Sequence, residues 1–540
     1  MIDSSTISKR PLILLAGLLF AWMVVMNIRP IQDPDFWWHL ASGRYMVMHR
    51  TIPKTDVFSL TARGSLWVNT YWLQEIPTYL IYRFTGFSGV ILFNSFLIAT
   101  LVFLIGFADP IHSTSWKLRL AGVAWIFVAA HPRDYGWGEK ASLVTFGFLG
   151  LLTYTLRTGK WPMESRLAKT WPLFFMIWAN THRGFILGLL ILAGYVIERC
   201  LSGAKNRSQL FGWALSCAAA TLVNPWGFRV YGMGWQDFRL SPTVVSGWAS
   251  TPFFHLEIFW ITLAIFWCLV GWKVFRGDSP GFGFFWASAI LSYMSVRYAS
   301  IYPYFILWAV PWLVSVFSRR FPIVASAAIL LIVLLIIAVF SWNLHPAFGV
   351  NRRVFPVDAV QFLKENDFHV PFYHDYGLGG YYLWSMNGNP PILVDGRYPA
   401  VQGYRDLLPA MIKANRGTPE DFYHFLDSLN IQCAVLQYPK SQFFHRPFAA
   451  YFPRDRWALV YWDDQVLIFL RRLPRFQKQI REYEFAGVEP DSDPLFWRNV
   501  IWDHFITAEK VSVHRELERN VVIHPDSQKA LFWRDFTREQ

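Results

Sequence analysis

The sequence predicts a mostly α-helical, polytopic membrane protein that carries a water-facing α/β domain at its C-terminal end. Three observations lead there. Of 540 residues, 54% are hydrophobic and only 16% are charged, a balance that soluble chains of this size rarely show. Long apolar segments recur between residues 11 and 342, after which the composition becomes mixed and the pattern alternates between helix and strand. The basic residues between the apolar segments fall on one side of the membrane when the crossings are counted in order.

The first apolar segment, residues 11–28, holds no charge and follows Lys9 and Arg10, which places the N-terminus in the cytoplasm. It lacks a small-residue cleavage site and reads as an uncleaved anchor. Further segments lie at about 88–108, 118–130, 141–156, 170–181, 184–198, 208–223, 253–272, 280–296, 299–317 and 321–342, giving eleven candidate crossings. Those at 118–130, 170–181 and 184–198 are short for a straight crossing, so they are tilted, extended by polar ends, or half-helices lining a cavity. Lys160, Arg166 and Lys169, then Arg199, Lys205 and Arg207, then Lys273 and Arg276, then Arg319 and Arg320 all fall on the cytoplasmic side. This bias accounts for much of the net charge of +13 and argues against a nucleic-acid partner. The 28 Trp and 48 Phe suit interfacial belts and a bundle packed with large rings. Four cysteines (Cys200, Cys217, Cys268 and Cys433) form neither a disulfide framework nor a zinc-site spacing.

An odd number of crossings puts everything after Trp342 outside the cytoplasm. The division is therefore a membrane domain, 1–343, with a first outer loop at about 30–87, and an extracytoplasmic α/β domain, 344–540. In the latter, helices are expected over 356–366, from 380, and over 419–429 with Thr418 as cap; strands are expected over 370–374, 391–394 and 431–437. Residues 457–462 and 465–470 form a hairpin around Asp463-Asp464, and the last sixty residues read as helical.

The outer side collects the unusual polar groups. Asp33-Pro34-Asp35-Phe36-Trp37-Trp38-His39-Leu40 follows the first segment, and the same loop holds Arg44, Asp56, Asn69, Trp72 and Glu75. Asp33 and Asp35 are either a solvated turn or the working carboxylates, as general base or as ligands of a divalent metal. A sugar hydroxyl has too high a pKa to attack unaided, so a carboxylate that takes its proton contributes roughly 10²–10⁴ in rate. Within the loop, residues 71–84 have helical spacing and suit an interfacial helix. Arg133 sits in the dense loop from His131 to Lys140, while His182 and Asn180 resemble a polar helix break. Arg183, Arg229 and Arg297 either snorkel to headgroups or clamp a phosphate, for which the fixed guanidinium fork is suited. Asp375-Tyr376-Gly377-Leu378-Gly379-Gly380 lacks the full dinucleotide fingerprint and the P-loop lysine, and reads as a structural turn. Asp395-Gly396-Arg397 reads as a strand end.

The order of these features resembles the GT-C superfamily of polytopic glycosyltransferases. More closely, the chain looks like a bacterial family of GT-C-like membrane proteins, through the Asp33 to Leu40 segment with Gly43-Arg44, Trp178-Ala179-Asn180 through Gly184-Phe185, Asn224-Pro225-Trp226-Gly227, Asp375-Tyr376-Gly377 through Gly380-Tyr381, and Val394-Asp395-Gly396-Arg397. The resemblance implies a sugar donor carried on polyprenyl phosphate, an extracytoplasmic acceptor (glycan, lipid or protein), inversion at the anomeric centre, and a home in the bacterial inner membrane. The family's first-loop carboxylate carries over to Asp33 or Asp35, with the other orienting the acceptor or helping to bind Mg²⁺ or Mn²⁺. His39, Arg44, Trp72, Glu75, Arg133, His182, Arg183, Arg229 and Arg297 complete the expected substrate-binding set. Three positions depart from related chains. Thr70-Tyr71 stands where His-Glu is common, and Arg183 where glycine is common. The rival expectations are a flippase for a lipid-linked sugar and a non-catalytic envelope assembly protein on the same scaffold.

Overall fold

Apolar runs that cannot leave backbone polar groups unpaired in lipid become helices, and helices dominate the first 320 residues. The structure, a computed structural model, describes residues 9–107, 116–130, 142–157, 166–203, 206–240, 250–254, 256–278, 280–320, 346–437 and 448–538. By packing, the chain forms two units. One comprises Met1–Asp33, Ser42–Ile52 and Val68–Gly349; the other comprises Pro34–Ala41, Pro53–Trp67 and Val350–Gln540. Residues 34–41 and 53–67 thus pack with the C-terminal part of the chain.

The first unit holds α1 (Lys9–Met26), the second half of α2 (Pro34–His49), α3 (Trp72–Phe107), α4 (Trp116–Ala130), α5 (Ser142–Arg157), α6 (Arg166–Lys169), α7 (Trp171–Ala179), α8 (Phe185–Leu201), α9 (Arg207–Ala220), α10 (Arg229–Leu240), α11 (Glu257–Phe275), α12 (Phe282–Arg297) and α13 (Tyr302–Arg320). Among the described residues, Trp72–Phe107, Glu257–Phe275 and Ala299–Phe317 are long and apolar enough to cross a membrane, and Ile13–Met26, Leu118–Ala130 and Ser142–Arg157 are shorter apolar helices. The expected segment 321–342 lies outside the described residues. α3 is two helices joined at Gly86, whose φ of 65° is the left-handed conformation that glycine tolerates. That kink separates the expected loop helix from the expected span. The large rings serve the core, with Trp171, Trp178 and Trp308 fully buried. Their indole N–H groups are matched to hydroxyls: Trp171 donates to Thr155 at 3.2 Å, Trp178 to Thr145 at 2.8 Å and Trp308 to Ser288 at 2.9 Å.

The second unit contains the first half of α2, α14 (Val357–Glu365), β1 (Phe372–His374), α15 (Gly379–Ser385), α16 (Tyr404–Arg416), α17 (Pro419–Ser428), β2 (Cys433–Gln437), α18 (Phe448–Tyr451), β3 (Trp457–Trp462), β4 (Val466–Arg471), α19 (Gln477–Tyr483), α20 (Pro494–Val500), α21 (Thr507–Ile523) and α22 (Gln528–Arg538). The sheet order is β1-β2-β4-β3, with β1 parallel to β2 and the other pairs antiparallel. Nearly every strand residue is buried, which is how a sheet covered on both faces reads. Thr418 caps α17 in a reciprocal box with Asp421, and Asp463 turns the β3–β4 hairpin by accepting from the N–H groups of Gln465 and Val466 at 2.7 and 2.8 Å. One expected strand is corrected. Residues 391–394 do not join the sheet, because Pro390 and Pro391 offer no N–H to a ladder. Ile392 instead forms an isolated bridge with Ser59, its carbonyl accepting from Leu60 N–H at 2.8 Å.

At the centre of this unit Arg397 is buried completely. Its Nε donates to both carboxylate oxygens of Asp395, at 2.8 and 2.9 Å, Nη1 donates to Asp56, and Nη2 donates to the Tyr404 hydroxyl at 2.8 Å. The guanidinium lies 4.9 Å from the Trp67 ring and 5.1 Å from that of Phe58. Burial acts to raise the pKa of Asp56, but the Arg397 charge and the Ser59 hydrogen bonds outweigh it and hold the carboxyl below its usual range. Asp395 is shifted upward by burial and by the nearby Asp56 charge, against the pull of Arg397.

Removing the cation leaves two buried carboxyls. Arg397→Ala should therefore destabilise this unit by about 3–5 kcal/mol, and Arg397→Lys, which cannot reproduce the fork, should also lower the unfolding midpoint; denaturant melts with limited proteolysis read both. His374 supplies a second test. Leu393 N–H donates to its Nε2 at 3.0 Å, so Nδ1 carries the proton and donates to Asp375 carbonyl at 3.1 Å. Burial pulls the His374 pKa down to about 4. Between about 6.5 and 4 the unfolded chain binds the extra proton, so stability falls as pH falls through that window, by roughly 3 kcal/mol from this group. In pH-dependent melts, His374→Gln should flatten the slope there.

Candidate functional site

Each unit contributes one group of the expected residues. In the second unit the group is the first turn of α2. Pro34 opens the helix and Asp35 lies in its first turn, where backbone N–H groups at the helix start favour negative side chains. Asp35 is exposed, and its Oδ1 accepts from Trp38 Nε1 at 3.0 Å. Trp37 and Trp38 are buried, Trp37 against Phe355 and Tyr381 at 5.1 and 5.0 Å, so both rings pack the unit. His39 is buried as well, its ring 3.6 Å from that of Trp38.

Two glycine motifs press on this turn. A Cβ at Gly396 would stand 1.9 Å from Asp35 Oδ1 and 2.7 Å from Trp38 Nε1, and one at Gly380 would stand 3.1 Å from the Pro34 carbonyl. The Asp395-Gly396-Arg397 motif thus has a physical reason. Its outer residues form the buried ion cluster, and its glycine lets the backbone lie directly on the Asp35 carboxylate. The Asp375 to Gly380 segment is a strand-to-helix turn, as the sequence predicts, in which Gly379 and Gly380 fit against neighbouring backbone.

In the first unit the group gathers around the break between α7 and α8. Asn180 fastens it, donating through Nδ2 to the Met176 and Val223 carbonyls at 2.8 Å each and accepting from Trp72 Nε1 at 2.8 Å. Arg183 Nε donates to the Tyr71 hydroxyl at 2.8 Å, with the guanidinium 4.9 Å from the Tyr71 ring centre. His182 meets the same ring edge-on at 5.6 Å. Asn69 donates to Glu75 at 2.6 Å, and Glu75 is fully buried. Arg44 is half-buried near Tyr79 and Tyr82.

Asp33, half-exposed, precedes α2 in this unit. Arg229 is exposed at the first residue of α10. Arg297 is exposed at the last residue of α12, donating to Ser250 at 3.1 Å. Arg133 lies outside the described residues. The structure therefore brings Trp72, His182 and Arg183 together and leaves Arg229 and Arg297 on helix ends. Thr145 escapes sequence reasoning, since a threonine in an apolar helix carries no motif. Among the described residues no three His, Cys, Asp or Glu side chains converge on one point.

Neither a protein-family model nor a curated protein matches the sequence. Solved structures do match in shape. The archaeal oligosaccharyltransferase AglB from Archaeoglobus fulgidus, in complex with an inhibitory peptide and a dolichol-phosphate, aligns over 80% of this chain and 70% of its own with a TM-score of 0.56 at 12% identity. An Archaeoglobus fulgidus oligosaccharyltransferase tethered to an acceptor peptide containing the NVT sequon aligns over 80% and 69%, with a TM-score of 0.53 at 11% identity. The chain has a GT-C-like fold. Identity this low establishes the architecture alone.

Gly396→Ala should cost about 1–3 kcal/mol through overpacking against Asp35. The cost should shrink in an Asp35→Ala background, where the carboxylate is gone; a double-mutant cycle of unfolding free energies measures the coupling.

Proposed function

We propose that this protein is an integral membrane glycosyltransferase that moves a sugar from a polyprenyl-phosphate-linked donor to an extracytoplasmic acceptor, with inversion. The observation that carries the reading is the GT-C-like fold together with the carboxylates Asp33 and Asp35 at the start of α2, of which Asp35 is exposed. One of them accepts the proton of the acceptor hydroxyl as its oxygen attacks the anomeric carbon, and the other orients the acceptor. The bond from that carbon to the phosphate oxygen breaks, and arginine stabilises the departing phosphate. The solved relatives in shape hold a dolichol-phosphate in one case and an acceptor peptide in the other, which supports a lipid-linked donor and an outer-face acceptor in kind. The apolar helices support residence in a membrane. The basic clusters favour an orientation with the N-terminus inside, and the bacterial inner membrane is the home that the family resemblance implies.

The experiment combines purified protein with envelope lipid extract and follows polyprenyl-linked sugars by mass spectrometry. Wild type should consume one lipid-linked sugar and release polyprenyl phosphate. The Asp33→Ala/Asp35→Ala double variant should lose at least about 10²-fold in rate while eluting as folded protein. Unchanged turnover in the double variant would sink the assignment, and movement of an intact donor across vesicles would indicate transport instead.

A further inference from the structure

We infer that α20 and α21 form a membrane-docking surface that lies in the headgroup region of a bilayer containing anionic phospholipid. Its role is attachment, which is separate from the transfer reaction proposed above.

The exposed apolar side chains of the second unit are segregated. Among its described residues, every large one lies between Leu495 and Phe532, on or beside the last three helices. Leu495, Phe496 and Val500 stand out from α20, Leu495 at 63% exposure. Ile506 precedes α21 at 66%, and Val522 stands near its end at 79%. None of these side chains builds the core beneath them, which Trp497 supplies by packing against Trp502 and Trp533 at 5.5 and 5.0 Å. Apolar exposure gathered in one region marks a site of interaction.

Helix α21 shows what the surface fits. Val513, Leu517 and Asn520 are buried, whereas Ala508, Val511, Arg515 and Val522 share the exposed face. Val511 and Val522 are close to three turns apart at 3.6 residues per turn, so the stripe runs along the helix. The acids of the helix are all engaged elsewhere. Glu509 accepts the Ile506 N–H at 2.9 Å, Glu516 accepts the Gly487 N–H at 3.2 Å, and Glu518 pairs with Arg538. Lys510 lies 5.3 Å over the Trp502 ring, and Arg519 donates to the Tyr483 and Glu484 carbonyls at 2.9 and 2.7 Å. Arg515, exposed within the stripe, has no carboxylate within ion-pair distance among the described residues. The stripe therefore offers apolar contact and one permanent cation, the complement of acyl-chain ends beneath anionic headgroups.

The course of the chain makes a bilayer the occupant. The chain passes between this unit and the one whose helices are long and apolar enough to cross a membrane at 33/34, 41/42, 52/53, 67/68 and 349/350. A bilayer that holds the first unit is thus presented to the second at high effective concentration, which a separate protein would have to exceed.

The test uses the full chain, one copy per nanodisc, in a Cys200→Ser/Cys268→Ser background, since Cys217 and Cys433 are buried. A nitroxide label is attached at Val511→Cys or Val522→Cys, with Lys413→Cys as an exposed control on the same unit. Spin resonance reads its collisions with oxygen, which concentrates in lipid, and with a neutral water-soluble nickel chelate. In discs of phosphatidylcholine and phosphatidylglycerol, labels at 511 and 522 should meet oxygen more often than the label at 413, and the chelate several-fold less often. Arg515→Gln should lower the docked-to-undocked ratio about fivefold in these discs, and less in phosphatidylcholine alone. Ile506→Ser/Val522→Ser should release the label at 511 without lowering the unfolding midpoint, because both side chains are exposed. Chelate collisions at 511 and 522 equal to those at 413 overturn the surface. Protection from both oxygen and chelate, or protection only in discs that hold two copies, overturns the bilayer assignment in favour of protein contact. Oxygen contact that is indifferent to both Arg515→Gln and phosphatidylglycerol overturns the anionic preference.

Discussion

The ion cluster of Asp56, Asp395 and Arg397 is the constraint on which the second unit depends. Withdrawing three charged groups from water is expensive, and the attraction between them offsets that cost only when geometry is good and every donor is matched. Here the guanidinium donates to two carboxylates and a phenol, with aromatic rings close by. The return is positional. The cluster welds residues 53–67 to the segment after residue 394, and that segment brings Gly396 onto Asp35. The orientation of an exposed carboxylate is thereby set by a buried cation that never touches it.

The first unit applies the same principle with neutral groups. The indole N–H groups of Trp171, Trp178 and Trp308 inside the helical bundle are satisfied by threonine and serine hydroxyls. At the α7–α8 break the pattern extends by one link, since His182 Nδ1 accepts from the Gly184 N–H and so from the Thr145 hydroxyl as well. A polar chain that is fully matched rigidifies its surroundings, whereas one missing partner would make the same residues a liability.

Much of this architecture was legible in the sequence, and the failures share a cause. Apolar runs located α4, α5, α8, α9, α11, α12 and α13 within a few residues, because burial in a bundle leaves long uncharged stretches. The cap at Thr418 and the turn at Asp463 were readable because their chemistry is local. Residues 391–394 looked like a strand because their apolar run is genuine; two prolines forbade the ladder. The roles of Asp56 and Arg397 were not legible, because nothing local tells a solvated loop aspartate from one that meets an arginine far away in the chain. Arg183 could be flagged as unusual, but only the fold reveals Tyr71 as its partner.

That distance in the chain has a temporal side. Asp56 and Arg397 are separated by 341 positions. At the usual pace of synthesis, roughly 5–20 residues per second, the ribosome needs roughly 20–70 s to travel between them. For that interval residues 53–67 exist without the partner that completes them, and Asp56 must stay hydrated. The helices of the first unit are made during this wait, so the membrane part is largely produced before the Asp35 turn can acquire its backing. Any truncation that ends the chain before Arg397 would leave residues 53–67 with no folded destination, however well the bundle itself had assembled.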